Sequence, residues 1–419
     1  MNEQIQTIII GGGQAGLATS YWLKQHQHEH IILEQAAQAA NAWRSGRWDS
    51  FTLVTPNWAT RMPGVEAPGV EAPGADPNGF MPRDEIVAYF EQYIERFKLH
   101  VCYNTRVTAV EQDGVGYVVR TDGDVVPNAT FTARNVVVAT GLYQRPKIPA
   151  FGARLDVGIT QLHSGAYRNP HSLAPGAVLV VGSAQSGCQI AEELYQSGRR
   201  VYLCTGSAPR MPRRYRGKDI YEWANLTGFL DRTPDMLPSP KARFAGNPQL
   251  SGKDGGHSLN LHQFARDGVT LLGRITNVAG HTIALAPDLK ENLAKSDGFE
   301  ANFCKQVDDY VAQKGLDAPR EELPRLRDGY NAPEILKLDL KADGITTIIW
   351  AMGYSFDFSL VRLPTFDADG FPVQQRGVTN YAGLYFIGMP WMPRMKSGQL
   401  LGVGEATEHI AAHISARRV

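Results

Sequence analysis

The chain has 419 residues, a length that predicts two or three domains of about 150 residues each. Its 42 Lys and Arg residues equal its 42 Asp and Glu residues, so the formal net charge is zero. These totals exclude a protein whose overall field draws it to nucleic acid or to an anionic membrane.

The N-terminus enters an apolar stretch within a few residues, with no basic segment ahead of it. No apolar run approaches the ~20 residues of a membrane-spanning helix. The four cysteines are far apart and form no CxxC, which favours a reducing compartment. We therefore expect a cytoplasmic protein that binds neither membrane nor nucleic acid.

Residues 7–35 predict a strand, a glycine turn, a helix and a second strand that ends at Glu34. Gly11, Gly13 and Gly16 form GxGxxG: the first allows a tight turn, the second lets a pyrophosphate approach the backbone, and the third lets helix and strand pack closely. The helix N-terminus would face the phosphates. A carboxylate at Glu34 would accept hydrogen bonds from ribose hydroxyls and repel a 2′-phosphate. The stretch therefore predicts FAD or NAD.

An aromatic segment follows, with Trp43 and Trp58 in it, and such rings either line a flat cofactor or form a small core beneath a long loop. The pentapeptide VEAPG then occurs at 65–69 and again at 70–74, where proline and glycine exclude helix and central strand. This duplication predicts a lengthened surface loop, with a lid over a pocket as the alternative.

Residues 83–98 place apolar side chains at helical spacing and have acidic residues in the first turn, so they predict a helix. Three β segments follow as a meander that returns to the first sheet. The last of them ends at Gly141, and Pro146 beyond it indicates an exit from the domain.

A second strand, turn, helix and strand span residues 177–207, with Gly182, Ala184 and Gly187 in the turn. Thr205 stands at the offset from Gly187 that Glu34 has from Gly16, so the acid is missing. Basic residues follow the strand: Arg210, Arg213, Arg214, Arg216 and Lys218. Because guanidinium groups bind phosphate oxygens in pairs, this pattern favours NADPH over NADH. A solvated basic loop or a nucleic-acid-binding patch is the alternative.

The run ITTIIWAMGY at 345–354 repeats the shape of NVVVATGLY and predicts a second crossing between domains. We predict an α/β protein with two dinucleotide-binding Rossmann-like domains, the NADPH domain inserted into the FAD domain. The predicted FAD domain covers 1–150 and 340–419. The predicted NADPH domain covers 151–339, with an irregular and helical insertion at about 225–336.

Two features complete the prediction from the residues alone. A C-terminal helix opening near Gly402 would direct its N-terminus at the flavin. Histidines cluster at the first and last helices, but no cysteines or carboxylates complete a coordination shell there, so we expect no metal.

Two glycine turns of different character imply two nucleotides on one chain, FAD at the first and NADPH at the second. Hydride would pass from nicotinamide to flavin. A dithiol acceptor would need a redox cysteine pair, which the sequence lacks. Molecular oxygen or an external carrier remains as the acceptor.

Several motifs together resemble the class B flavin-dependent monooxygenases, a group that includes flavin-containing monooxygenases and YUCCA-like enzymes: GGGQAG, WRSGRWDSFTLVTPNW, VVVATG, GSAQSGCQIAEEL, PRRYRGKD and LLGVGEATEHIA. The resemblance covers both βαβ units and the C-terminal segment. It implies that NADPH reduces FAD, that oxygen adds at the flavin C(4a) position, and that bound NADP⁺ protects the peroxide until a substrate is oxygenated.

The resemblance also suggests residue roles. Asn57 stands where flavin-containing monooxygenases place an amide near the oxygen adduct, so it is the predicted catalytic residue, with an Asx turn after Pro56 as the alternative. The turns and the resemblance together predict these cofactor-binding residues: Gly11, Gly13, Gln14, Ala15, Gly16, Glu34, Gln35, Trp43, Arg44, Val107, Gly141, Gly182, Ala184, Gln185, Ser186, Gly187, Arg210, Arg213, Arg214, Gly388 and Gly402. The predicted substrate residues are Trp58, Trp391, Arg394 and Lys396, whose cationic pair would suit an anionic substrate.

One motif departs from the family. The fingerprint FxGxxxHxxx(Y/F) keeps His163 and Tyr167, but Val157 and Ile159 stand where Phe and Gly belong. We therefore interpret His163 as a structural hinge residue, with a proton carrier as the alternative.

The sequence thus predicts an NADPH-dependent FAD monooxygenase that acts on a small organic molecule and O₂. One alternative is an NADPH-dependent flavin oxidoreductase or oxidase without an oxygenated product. The other is a flavin-bearing regulatory partner of a transporter. Whether the chain forms a homodimer is left open.

Overall fold

The computed structural model of the chain describes residues 2–65, 76–123 and 129–417. The VEAPG duplication, apart from Val65, lies outside the described residues. The helices are α1 (Gln14–Gln25), α2 (Asn41–Arg44), α3 (Arg83–Phe97), α4 (Gln185–Gln196), α5 (Ile220–Leu226), α6 (Leu261–Arg266), α7 (Leu289–Lys314) and α8 (Leu400–Ala416). The strands are β1 (Asn2–Ile10), β2 (His30–Leu33), β3 (Val101–Cys102), β4 (Arg106–Asp113), β5 (Gly116–Asp122), β6 (Thr130–Val138), β7 (Arg145–Pro146), β8 (Thr160–His163), β9 (Ala177–Val181), β10 (Val201–Cys204), β11 (Arg214–Tyr215), β12 (Lys218–Asp219), β13 (Leu250–Ser251), β14 (His257–Ser258), β15 (Thr270–Leu272), β16 (Ile275–Ala279), β17 (Thr282–Leu285), β18 (Lys337–Asp339), β19 (Ile345–Trp350), β20 (Tyr354–Ser355) and β21 (Leu384–Phe386).

The first sheet has the strand order β3-β2-β1-β6-β5-β4, with β21 beside β6. Its centre is parallel, whereas β4, β5 and β6 form the predicted antiparallel meander. Strand β1 is apolar on both faces, with Ile8 and Ile9 fully buried, because helices and loops cover both sides of a parallel sheet.

The second sheet has the order β15-β10-β9-β19-β8, and each of its pairs is parallel. The chain leaves the first sheet after β6, builds the second sheet, and returns to the first as β21. This order confirms the predicted insertion of one dinucleotide-binding unit into the other.

Strand β19 corrects the predicted domain boundary. We placed the chain after residue 340 in the FAD domain, but β19 pairs with β8 and β9 of the second sheet. Buried parallel strands are apolar on both faces, so their sequence does not tell which sheet they join. The return comes after Trp350, where β20 pairs with β7 and brings the two crossings side by side.

The two sheets share one apolar cluster. It contains Ile9 of β1 and Val180 of β9, and it is bridged by Trp48, Phe51 and Tyr167. The hydroxyl of Tyr167 donates to Glu193 on α4, whose other oxygen accepts from Ser50 before α3. Such packing holds the two sheets against each other.

Each glycine turn brings a helix against the strand before it. A Cβ on Gly16 would lie 1.9 Å from the carbonyl oxygen of Gly11, and a Cβ on Gly187 would lie 1.8 Å from that of Gly182. Gly11 and Gly182 have φ values of +106° and +109°, a region that glycine adopts without strain. The glycines therefore set how close each helix N-terminus comes to its sheet.

We predict that Gly16→Ala lowers the free energy of unfolding by about 3 kcal/mol, because the added methyl forces α1 away from β1. The matched control is Gly13→Ala, since Gly13 has no atom within 4 Å of a built Cβ. Ala184 occupies the same place in the second turn with nearly identical backbone angles. Thermal unfolding of the flavin-free variants measures the difference, and a wild-type melting temperature for Gly16→Ala would contradict the account.

Candidate functional site

The carboxylate of Glu34 lies against the first glycine turn. Its Oε2 accepts a hydrogen bond of 2.6 Å from the backbone N–H of Gly12, and its Oε1 accepts one of 2.8 Å from Ala36. Each oxygen has a further lone pair for a ribose hydroxyl. This is the position that the sequence predicted for Glu34.

The start of α1 fits a diphosphate. No side chain caps this helix, and its first turn contains no acidic residue, so its N–H groups and positive dipole end are not neutralised from within the protein. The space beside Gly13 is open. An anionic group of a dinucleotide would satisfy these donors.

The C-terminal segment closes against the same turn. The side-chain amide of Gln14 donates to the carbonyl of Gly398 over 2.7 Å. A Cβ on Gly388 would lie 2.5 Å from that of Ala15, and one on Gly402 would lie 2.3 Å from the carbonyl of Lys396. Gly388 and Gly402 thus allow this segment to approach the first turn and the start of α8.

The second turn has a neutral strand end, as predicted. Thr205 is buried, and its hydroxyl donates to the carbonyl of Leu272 over 2.9 Å. The N–H of Gly206 donates to the hydroxyl of Ser183, which occupies the place of Gly12. Among the described residues, no carboxylate hydrogen-bonds to the turn from position 205 as Glu34 does in the first unit, so Thr205 itself would not repel a phosphate.

A segment that sequence reasoning missed covers the second turn. Gln249 is fully buried and donates to the carbonyl of Ser183 over 2.8 Å. Gln189 on α4 donates to the carbonyl of Leu250, and a Cβ on Gly246 would lie 3.3 Å from that of Ala184. The predicted residues Gln185 and Ser186 lie beside this segment, half-buried in the first turn of α4. The irregular sequence around Gly246 contains no motif that would have revealed this role.

Two of the arginines predicted to bind a 2′-phosphate are committed elsewhere, which corrects that prediction. Arg210 is buried and forms ion pairs with Glu300 at 2.7 Å and with Asp297 at 2.8 Å. Arg213 is buried. It donates hydrogen bonds to both carboxylate oxygens of Asp219 and to the carbonyl of Val54.

Arg214 is the exception in the basic segment. It is exposed and donates only to the backbone carbonyls of Gly255 and Gly256. Among the described residues no carboxylate pairs with it, so its guanidinium retains capacity for an anion.

Arg47 lies at the junction of the two domains and was not predicted. Its guanidinium is 5.1 Å from the ring centroid of Trp43 and 5.4 Å from that of Phe51. Burial lowers the pKa of Arg47, and Tyr354 and Tyr143 from the two crossings oppose that shift. No carboxylate of the described chain forms an ion pair with it, and an enclosed unpaired cation suits an anionic ligand.

His163 joins β8 to the second crossing. Its Nε2 donates to the carbonyl of Gly353 at 2.9 Å, and its Nδ1 accepts from the N–H of Gly165. Burial lowers the pKa of His163, and the positive charge of Arg47 adds to that effect although the bond to Gly353 opposes it. A neutral ring held at both nitrogens supports the hinge interpretation.

Asn57 is buried, and its amide nitrogen donates to the carbonyl of Asp76 over 2.8 Å. Its carbonyl oxygen is buried without a hydrogen-bond partner. This loop contact uses one of the two hydrogens of the amide nitrogen, and the second remains for another acceptor, so the catalytic role of Asn57 stays a prediction.

The predicted cationic pair near Trp391 is balanced by carboxylates. Asp231 accepts contacts from Arg394 at 3.0 Å and from Lys396 at 2.7 Å, and Glu405 also contacts Arg394. Burial tends to raise the pKa of Asp231, but contacts with Lys396 and Arg394 outweigh it and lower that pKa. The pair alone does not make an anion site.

The remaining predicted site residues do not share one environment. Val107 is buried in the core of the first sheet, and Gln35 is exposed just after Glu34. Arg44 pairs with Glu91 at 2.6 Å. Gly141 has φ +68° with open space around it, and Trp58 is half-buried.

All four cysteines are described, and none of them is in a disulfide: Cys102, Cys188, Cys204 and Cys304. Burial raises the pKa of Cys188 and of Cys204, so both stay protonated thiols. Among the described residues, no cluster of three or more His, Cys, Asp or Glu could hold a metal ion. Within the same residues, no helix has the length and apolar character needed to cross a membrane.

Comparison with known proteins places this geometry in a family. Residues 8–220 match the model described as pyridine nucleotide-disulphide oxidoreductase. The chain is 30% identical over 414 residues to an uncharacterized oxidoreductase, CzcO-like, of Geobacillus kaustophilus, with 98% of each chain covered. It is 29% identical over 351 residues to the probable indole-3-pyruvate monooxygenase YUCCA10 of Arabidopsis thaliana, covering 76% of this chain and 88% of that protein.

A solved structure shares the architecture. The flavin-containing monooxygenase from Stenotrophomonas maltophilia superposes with a TM-score of 0.68 at 19% identity, covering 100% of both chains. The two-domain fold is thereby confirmed. The relatives together with this neighbour also confirm the resemblance to class B flavin monooxygenases that the motifs indicated.

We predict that Arg213→Ala destabilises the protein by about 3–5 kcal/mol, because it leaves Asp219 charged and unpaired in a buried site. Arg214→Ala is the matched control, since Arg214 is exposed. Melting temperatures of both variants make the comparison. If Arg213→Ala kept the wild-type melting temperature but lost activity with NADPH and not with NADH, Arg213 would be a phosphate-binding residue and the prediction would be wrong.

Proposed function

Because the chain belongs to the pyridine nucleotide-disulphide oxidoreductase family, we propose that it is an FAD- and NADPH-dependent monooxygenase that transfers one oxygen atom from O₂ to a small organic substrate. The chain is a flavin- and pyridine-nucleotide-type oxidoreductase by its family and neighbours. The particular cofactors, the oxygenation and the substrate form the proposal.

The contrast between Glu34 and Thr205 carries the assignment of the two nucleotides. Glu34 presents a carboxylate to ribose hydroxyls at the first turn, which suits FAD. Thr205 presents a buried neutral hydroxyl at the same offset in the second turn, which accommodates a 2′-phosphate without repulsion. Arg214 and Arg47 have no carboxylate partner among the described residues, and we assign them to the binding of an anionic nucleotide.

The cysteines support oxygen as the acceptor. Cys188 and Cys204 are buried with raised pKa values, and none of the four cysteines is in a disulfide, which supports an electron acceptor other than a redox cysteine pair. The lack of disulfides also supports our inference that the protein works in the cytoplasm.

The residues of this chain have separable tasks in the proposed reaction. When bound, FAD supplies hydride acceptance and oxygen chemistry. Gly13 and the N–H groups at the start of α1 would hold its diphosphate, and Glu34 would orient the ribose. The N-terminus of α8, whose segment is joined to the first turn by the contact between Gln14 and Gly398, would stabilise negative charge on the reduced ring. The segment that carries Gln249 lies against the second turn and would border a nucleotide bound there.

The experiment that tests this proposal is rapid mixing of the NADPH-reduced protein with oxygen while the flavin spectrum is recorded. We expect the oxidised spectrum to return through a separate slower phase that substrate accelerates. Return in one step, with stoichiometric hydrogen peroxide whatever substrate is offered, would identify an oxidase and refute the proposal.

The choice of NADPH has its own test. We expect Arg214→Ala to lower kcat/KM for NADPH about tenfold and to change that for NADH little, since one charge-assisted phosphate contact is lost. Steady-state kinetics with both nucleotides measure the ratio. Equal losses with the two would mean that Arg214 does not contact the 2′-phosphate.

A further inference from the structure

Arg232 is a partly buried cation that no carboxylate neutralises in the described chain. Its guanidinium carbon lies 3.7 Å from the ring centroid of Phe229 and 5.7 Å from that of Trp391. Its Nε donates to the carbonyl of Phe229, and its Nη2 contacts the sulfur of Met395. Burial lowers the pKa of Arg232, with no acid to oppose the shift. Its Nη1 remains available for an acceptor.

The charged groups around Asp231 are paired with one another. Arg394 contacts both Asp231 and Glu405, and Lys396 also contacts Asp231. Arg232 takes part in none of these ion pairs, so its charge has no carboxylate partner among the described residues. The carboxylate of a ligand would supply that partner.

Trp391 gives a second, independent sign of a built site. Its φ of +64° lies in the left-handed region, an outlier for so bulky a residue. The backbone N–H of Trp391 donates to the backbone carbonyl of Arg394 at 2.7 Å, and this hydrogen bond stabilises the left-handed conformation. The strained backbone keeps the indole buried beside Arg232.

The position links this cluster to the proposed reaction. The N–H of Met395 donates to the carbonyl of Arg232, which joins the insertion of the second domain to the C-terminal segment. Gly398 in that segment accepts from Gln14 of the first turn. A molecule bound at Arg232 would lie between the insertion and the segment that closes against the flavin turn.

We propose that Arg232 binds the carboxylate of the substrate, and that this substrate is an organic acid with a flat apolar body. This inference rests on the proposed function only in calling the bound acid a substrate. The guanidinium fork matches the two oxygens of a carboxylate, and Phe229, Trp391 and Met395 offer apolar surface for the body. The phosphates of a dinucleotide would bind at the N-termini of α1 and α4 instead.

The test measures binding without turnover, so that it does not depend on oxygenation. The FAD-loaded protein, in the absence of NADPH, is titrated calorimetrically with phenylacetate and with phenylacetamide, which has nearly the same shape and no charge. We expect phenylacetate to bind about tenfold to a hundredfold more tightly, and the preference to shrink as salt is added. Equal affinities in the wild-type protein would overturn the proposal.

Substitutions at Arg232 test whether this residue causes the preference for phenylacetate. Arg232→Gln should abolish the preference, and Arg232→Lys, which keeps the charge but loses the fork, should retain part of it. Arg243→Gln is the matched control, because Arg243 also stacks on an aromatic ring, that of Phe371 at 4.3 Å, but is paired with Asp367. An undiminished preference in folded Arg232→Gln, or its loss in Arg243→Gln, would overturn the assignment.

A nucleotide phosphate at Arg232 would give a different pattern. We expect the KM for NADPH to be the same in Arg232→Lys and in the wild-type protein. A KM raised about tenfold with phenylacetate binding unchanged would assign Arg232 to the nucleotide and refute the proposal. If oxygen transfer fails but the preference for phenylacetate holds, the anion site stands and the proposed function falls.

Discussion

The structure depends on a contact too tight for a methyl group. At Gly16 and at Gly187 a helix comes so close to the preceding turn that a Cβ would overlap a carbonyl oxygen. That closeness puts the N-termini of α1 and α4 at the carboxyl ends of parallel strands in both sheets, which is where folds of this kind bind dinucleotides. The insertion of one unit into the other, and the apolar cluster that both sheets share, follow from bringing these two edges together.

The fold could be predicted where its signal is local. Glycine spacing, a strand before it and an acid or threonine after it identify both βαβ units, and helical periodicity identifies α3. The domain boundary at β19 could not be predicted. A strand buried on both faces is apolar throughout, so its partners are decided by packing far along the chain rather than by its own pattern.

The site divides in the same way. Glu34 could be predicted because its partner, Gly12, belongs to the same unit. Arg210 was predicted wrongly because the carboxylates that neutralise it come from α7, about ninety residues away. Arg47 and Arg232 were missed for the converse reason: lacking a carboxylate partner is a property of the folded chain, and no sequence spacing reveals it.

The central claim is that hydride from a nicotinamide nucleotide reaches one flavin and that no disulfide takes part in the electron transfer. None of the four cysteines is in a disulfide, so the described chain contains no disulfide that would accept a second electron pair. Anaerobic titration of the FAD-loaded protein with NADPH, followed by the visible absorbance of the flavin, measures this directly. The account predicts complete bleaching with one equivalent of NADPH per flavin. A requirement for two equivalents, or a flavin that NADPH leaves oxidised, would contradict it.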